Sequence, residues 1–224
     1  PKIRAARSAN LRLLGESQHK LGMAPEARAT LDKAIAINRS LLADSPDDPA
    51  LLRKLSISLW YAAVVHRTNE RDPQARAAIR EAVQLADRMA AKDPNDAGAL
   101  QMQAITGEVL AQVLADQKDI VGSKAAMAKV LKTHDHLVQL AGSAPGARRS
   151  RNSALRSSAG ILYNLGDIPA ACTSWRELLT AYLALQSAGN LSEFDAQNAL
   201  PETRGYIRDI CEGGKPKSAW PKGI

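Results

Sequence analysis

The sequence predicts an all-α fold of four repeated helix pairs followed by a C-terminal capping helix. Three observations point there. Aromatic residues are only 4% of the 224, with a single Phe, so a core has to be built from Ala, Leu, Ile and Val. An alanine-rich chain poor in aromatic and β-branched residues favours helices over strands. Next, Pro25-Glu26-Ala27-Arg28-Ala29-Thr30-Leu31 returns 48 residues later as Pro73-Gln74-Ala75-Arg76-Ala77-Ala78-Ile79, and the loop Asp44-Ser45-Pro46-Asp47-Asp48 returns at the same step as Lys92-Asp93-Pro94-Asn95-Asp96. Finally, no segment sustains the apolar–polar alternation of a strand.

The 48-residue step runs through the chain without insertion. Small residues recur at Gly15, Ala63, Ala111 and Ala159, and again at Ala27, Ala75, Ser123 and Ala171. Large apolar residues follow at Leu31, Ile79, Met127 and Trp175, then at Ile35, Val83, Leu131 and Leu179. Periodicity of this length is the signature of stacked repeats.

Each unit contains two helices. In the first, Ala27, Leu31, Ala34, Ile35, Asn38, Leu41 and Leu42 follow the three-and-four spacing of one helical face. Gly and Pro at Leu21–Pro25, Asp44–Pro49, Asn69–Pro73 and Gly142–Gly146, with the Asp93–Asp96 turn, punctuate the chain. The predicted helices are 1–20, 24–43, 49–68, 72–91, 97–116, 120–140, 147–164 and 168–187. A ninth, over 195–211, has Tyr206, Ile207 and Ile210 on its apolar face and a start resembling a capping box at Ser192 and Asp195. Residues 1–212 then form one repeat domain with units of about 1–48, 49–96, 97–144 and 145–192. The Lys- and Pro-containing stretch 213–224 is expected to be a flexible tail. Pro1 stands one step before Pro49 with no polar cap beside it, so the native chain is expected to continue upstream.

Composition excludes several classes. Hydrophobic residues are 45% and charged residues 24%, the mixture of a folded chain. Two Cys exclude a disulfide-dense scaffold and a multi-Cys zinc module. No window reaches the roughly 18 apolar residues of a spanning helix, and no signal segment opens the sequence.

Chemistry-bearing motifs are sparse. His134 and His136 are two residues apart, so on a helix they point about 200° apart; solvated histidines are expected, not metal ligands. His66 occupies a slot filled by Leu114 and Leu162 and reads as a packing residue. Gly213-Gly214-Lys215 lacks the upstream Gly and following Ser/Thr of a phosphate loop. Asp47, Asp48, Asp93 and Asp96 sit where capping explains them. No catalytic set, metal site or cofactor is expected. The net charge of +7 gathers partly in Arg148, Arg149, Arg151 and Arg156 and in Lys215, Lys217 and Lys222. Without interleaved aromatics this reads as a solvated face, with no specific nucleic-acid partner.

Leu14-Gly15, Gly22, Ala27, Leu31 and Ala34, echoed by Leu165-Gly166-Asp167, Ala171 and Trp175, stand at the spacing of the tetratricopeptide repeat, which the chain resembles over about residues 1–190. The unit departs from that family in length, 48 against a usual 34, the extra residues falling after Ala34 and lengthening the second helix. The third unit departs further: Lys118 stands where Gly22 and Gly166 stand. More loosely, the pattern with its Cys172, Trp175 and Cys211 ending is similar to repeat regions attached to bacterial serine/threonine protein kinases, although no kinase motif is present.

The resemblance implies a right-handed superhelical solenoid whose inner wall is lined by the first helix of each unit. The residues three before the small positions, Arg12, Trp60, Glu108 and Arg156, would project inward. Glu16, Val64 and Gln112 would follow one turn later, with His19, Arg67 and Tyr163 near the far end. Trp, Tyr and Arg dominate interface energies, so a peptide or protein segment, or another domain of the same chain, is the expected partner. Burial of Trp60 between helices is the competing reading. Glu16 and Tyr61 stand where the family's carboxylate-binding groove needs Asn, so that ligand class is not expected. The function expected is a non-catalytic scaffold; the alternative is a regulatory arm of a larger signalling enzyme.

Antiparallel packing of the eighth and ninth helices brings the start of one, with Cys172, toward the end of the other, with Cys211. A disulfide is expected if their Cα atoms lie within about 7 Å, and it would favour a periplasmic or other extracytoplasmic setting. Two buried thiols in a cytoplasmic protein are the alternative.

Overall fold

A computed structural model describes residues 2–67, 73–142 and 144–213. These residues are all-helical, with no strand among them. The helices are α1 (Lys2–Lys20), α2 (Ala24–Asp44), α3 (Pro49–Arg67), α4 (Pro73–Lys92), α5 (Ala97–Asp116), α6 (Ile120–Ala141), α7 (Pro145–Asn164) and α8 (Ile168–Ser187). A π-helical turn at Asp195–Ala199, helix α9 (Leu200–Tyr206) and a second π-helical turn at Ile207–Cys211 follow. The predicted ninth helix is therefore present, but its two ends are wound more loosely than an α-helix. The expected tail beyond Gly213 and most of the Asn69–Pro73 break lie outside the described residues.

The chain divides within α6 into two compact units, Pro1–Ala126 and Met127–Ile224. In the first, each helix from α1 to α5 packs on the next in sequence, and α1 also meets α3, and α3 meets α5. In the second, α7 packs on α8 and α8 on α9.

The 48-residue step has a physical counterpart in equivalent contacts. Ser8 Oγ lies 3.1 Å from Ala34 O, and Ser56 Oγ donates to Ala82 O at 3.0 Å. Both bonds join the first helix of a unit to the second. Asp87 accepts from Gln103, and Asp135 accepts from Arg151 one step later, each tying a second helix to the first helix of the following unit. Small residues let helices approach: a Cβ on Gly15 would sit 2.7 Å from Leu31 Cγ, and Ala63, Ala111 and Ala159 at the same register are fully buried. The predicted α2 face is the buried one, with Ala27, Leu31 and Ala34 at 0% exposure.

Helix starts follow the same period. Asp48 Oδ1 accepts from Ala50 N and Leu51 N, Asp96 Oδ1 from Gly98 N and Ala99 N, and Ser192 Oγ from Asp195 N. Such caps satisfy amides that have no partner inside the helix. Asp47 corrects the expectation of a cap: its carboxylate pairs with Lys92 at 3.2 Å and Arg88 at 3.6 Å, and it is held below the usual carboxylate range chiefly by the Lys92 bond. Asp93 accepts from Asn95 N within its turn.

Asn38, which is 1% exposed, ties three helices together. Its Oδ1 lies 2.8 Å from Ser8 Oγ on α1, and its Nδ2 donates to Ser58 Oγ and Lys54 O on α3. The single Ser8 hydroxyl proton serves either Asn38 or Ala34. The equivalent register one unit pair later is His134, and here the structure corrects the sequence. His134 is 8% exposed and its Nδ1 has no partner among the described residues, whereas His136 is half-buried. Its neighbours on the fold, not its own helix, decide that burial.

Candidate interaction face

In the first unit the face predicted to bind is built from α1, α3 and α5. The four-residue step Arg12, Glu16, Lys20 places all three on one side of α1. Glu16 accepts from Lys20 at 2.8 Å and from Arg12 at 3.3 Å. Its carboxyl is held below the ordinary glutamate range, first by the Lys20 bond, with Tyr61 and the two cations adding to it against some desolvation. The Arg12 guanidinium lies over the Tyr61 ring, 5.5 Å from its centroid, a cation–π arrangement. Burial, then the bond to Glu16, push the Tyr61 hydroxyl up. His19 is half-buried one turn from Glu16.

Trp60 on α3 is half-buried, with its ring centroid 4.5 Å from that of Tyr61. Part of the Trp60 side chain is enclosed, with the indole Nε1 buried and unpartnered, while the residue keeps an exposed portion. At the far end of α3, Arg67 donates to Asp116 at 2.6 Å and to Gln112 at 2.7 Å, both on α5. Glu108, four residues before Gln112, is half-buried on α5.

Arg156 and Tyr163 belong to the second unit. Arg156 donates to Glu202 Oε2 at 2.6 Å, and the other oxygen of that carboxylate accepts from Tyr206 at 2.9 Å. Burial, then Glu202, raise the Tyr206 hydroxyl to about 12. Tyr163 and Tyr206 flank the fully buried Trp175, at centroid distances of 5.8 and 5.3 Å. Arg156 therefore holds the α9 helix, a role its position alone did not reveal.

Cys172 and Cys211 form a disulfide, with Cα atoms 5.7 Å apart. Ala159, Leu162, Ala171, Trp175 and Ile207 surround it in one apolar cluster. The Arg148 group divides: Arg148 and Arg149 are exposed, while Arg151 bridges Asp135 and Glu177.

Sequence reasoning missed Tyr61, Lys20, Asp116, Glu202 and Tyr206 as participants. Lys20 was legible from its four-residue spacing to Glu16. The others pair across helices 45 to 49 residues apart, or follow them on α9, so only the stacking register would have found them.

Among the described residues no group of His, Cys, Asp and Glu is arranged to hold a metal ion, and no helix is long and apolar enough to cross a membrane. No family model matches the chain, and no curated protein matches it.

Proposed function

We propose that this chain is a tetratricopeptide-like scaffold, non-catalytic in itself, that binds an extended peptide or protein segment along α1, α3 and α5. The observation behind this reading is the Trp60–Tyr61 pair. It is a half-buried aromatic step on α3, flanked by the Arg12–Glu16–Lys20 cluster on one side and the Arg67–Gln112–Asp116 cluster on the other. An aromatic step bordered by charged pairs offers apolar contact at its centre and polar contacts at its rim, the usual anatomy of a binding hot spot. Because Arg12 and Arg67 already face carboxylates, the bound segment gains little from an acidic side chain and most from an apolar residue against Trp60. The disulfide supports an oxidising compartment such as the periplasm as the setting.

A random peptide library displayed on phage, selected on the full chain, tests the reading. Enriched peptides are expected to carry an apolar or aromatic residue and to lose about tenfold or more in affinity for an Arg12→Ala, Trp60→Ala double variant of unchanged helicity. Enrichment of nothing, or of peptides indifferent to both substitutions, overturns it.

A further inference from the structure

Helix α3 is bordered by α1 on one side and α5 on the other, so the face it leaves open does not arise from a chain end. From Arg53 to Arg67, only Arg53, Lys54, Ile57, Trp60, Tyr61, Val64 and Arg67 keep an exposed portion; every other residue of that stretch is buried. Their three-and-four spacing makes one continuous strip. Contacts from this strip to the flanking helices join residues 45 to 49 apart, Arg12 with Tyr61 and Arg67 with Gln112 and Asp116. The 48-residue step therefore sets Ile57 beside Ile105 of α5, which is 37% exposed, and beside the half-buried Ala9 of α1.

The strip changes character along its length. At its far end Arg67 is bonded to Asp116 and Gln112, and at its middle Arg12 is held by Glu16. An acidic side chain beside Trp60 thus finds both arginines taken. The near end differs. Arg53 and Lys54 are half-buried, yet neither makes an ion pair or a side-chain hydrogen bond among the described residues. The acids at the starts of α3 and α5, Asp48 and Asp96, accept from the first amides of those helices. The Arg53 guanidinium lies against the first turn of α5, where Gly98 leaves it room: a Cβ there would come 2.2 Å from Arg53 Nη2. Two uncompensated cations therefore stand one turn before the Ile57–Ile105 step and two turns before the Trp60–Tyr61 pair. A partly desolvated guanidinium is suited to a carboxylate, which it meets with two parallel bonds.

We propose that this end of the groove is a carboxylate subsite: the bound segment of a partner protein sets an aspartate or glutamate side chain on Arg53 and Lys54, and an apolar side chain on the Ile57–Ile105 step or on Trp60. The inference rests on the groove reading above and specifies its ligand. Ile57 and Trp60 stand about 6 and 10 Å beyond Arg53 along the helix axis. An extended segment advances about 3.3 Å per residue, so its acidic and apolar residues are two or three positions apart. The chain's own 214–224 stretch, with Lys215, Lys217 and Lys222 and no acid, carries the wrong charge to be that segment.

The probe is the phage-displayed random library, selected in parallel on the full chain, on an Arg53→Glu, Lys54→Glu variant and on an Arg53→Gln, Lys54→Gln variant. The neutral pair keeps the test valid if charge reversal disturbs the fold, which circular dichroism records. Peptides enriched on the wild type are expected to carry Asp or Glu two or three positions from an apolar residue. Synthesised and labelled, they are expected to bind about tenfold more tightly in fluorescence anisotropy than forms with Lys in place of the acid. The Gln pair is expected to abolish that preference and the Glu pair to reverse it. Peptides that depend on Trp60 but tolerate the exchange of acid for Lys overturn the subsite and leave the groove reading standing. A preference for the acid that survives both variants also overturns the subsite, and enrichment of nothing removes subsite and groove reading together.

Discussion

Equivalent registers of the two compact units hold their helices with different chemistry. At the matching registers of the first unit, Ser8, Asn38, Ser56 and Ser58 bond one another or a neighbouring backbone carbonyl. In the second, the Ser8 and Ser56 register is Asn152, 3% exposed with Nδ2 unpartnered, and the Asn38 register is His134, with Nδ1 unpartnered. A buried polar group left without a partner costs roughly 1–3 kcal/mol. Against this the second unit sets a disulfide and the Tyr163–Trp175–Tyr206 stack, neither of which has a counterpart in the first. One repeat geometry thus tolerates two kinds of interior at these registers, and the second unit adds a covalent closure.

The largest test of that contrast removes the covalent closure. Cys172 and Cys211 are 39 residues apart, and closing a loop of that size restricts the unfolded chain by about 4 kcal/mol in the chain-entropy account. A Cys172→Ser, Cys211→Ser variant is expected to lose most of that in the second unit. Hydrogen exchange should show the loss of protection concentrated in α8 and α9, with α1 to α4 unchanged. Equal loss across α1 to α4 would mean that the two units do not differ in the way described.

A smaller effect separates Asn38 from His134. Burial first, and the Arg151 cation second, hold the His134 imidazole below its ordinary value of 6.5; Asp135 opposes them only in part. A folded-state value below the unfolded one means that, on acidification through 6.5, the unfolded chain takes up a proton that the folded chain refuses. Stability therefore falls as pH drops from 7 toward the folded-state value. Urea unfolding at pH 7.5 and 5.5 is expected to show this loss in the wild type and a flatter profile in His134→Asn, which installs the residue of the first unit. His19, His66 and His136 remain in both proteins, so the difference isolates His134. A His134→Asn profile as steep as the wild type's would sink the assignment.

The contrast also explains what the sequence disclosed. Helix positions were legible to within a few residues because Gly22, Pro49, Pro73, Asp96 and Pro145 act locally, through backbone geometry and capping. The pairing of helices was legible from Gly15, Ala63 and their equivalents, since small residues mark close approach. His134 was misjudged because its helix spacing says nothing of the helices packed over it. Arg156 was assigned to a binding face because Glu202, its partner, lies 46 residues away on an element whose π-helical turns no local pattern announced. The surroundings of Trp60 were not legible for the same reason: Tyr61 and Arg12 come together only when α1 and α3 are side by side.

The smallest test concerns the turn between the two helices of a unit, where the chain takes a left-handed conformation. Gly22 and Gly166 have φ of 78° and 81°, and Lys118, two steps after the first and one before the second, has φ of 63°. Glu70, the remaining member of the series, lies outside the described residues. The backbone thus keeps one conformation whether or not the sequence supplies the residue suited to it. An L-residue with a side chain pays roughly 1–2 kcal/mol in this region, while Gly gives back part of that advantage through its freer unfolded state, about 0.4–1 kcal/mol. Lys118→Gly is therefore expected to stabilise the first unit by about 0.5–1 kcal/mol. A Cβ built on Gly166 meets nothing within 4 Å, so Gly166→Ala isolates the backbone cost and is expected to destabilise the second unit by a similar amount. Denaturant midpoints of the two variants give opposite signs if the turn is one device reused at each step. Destabilisation by Lys118→Gly would show instead that the lysine side chain makes a contact worth more than the strain of its backbone.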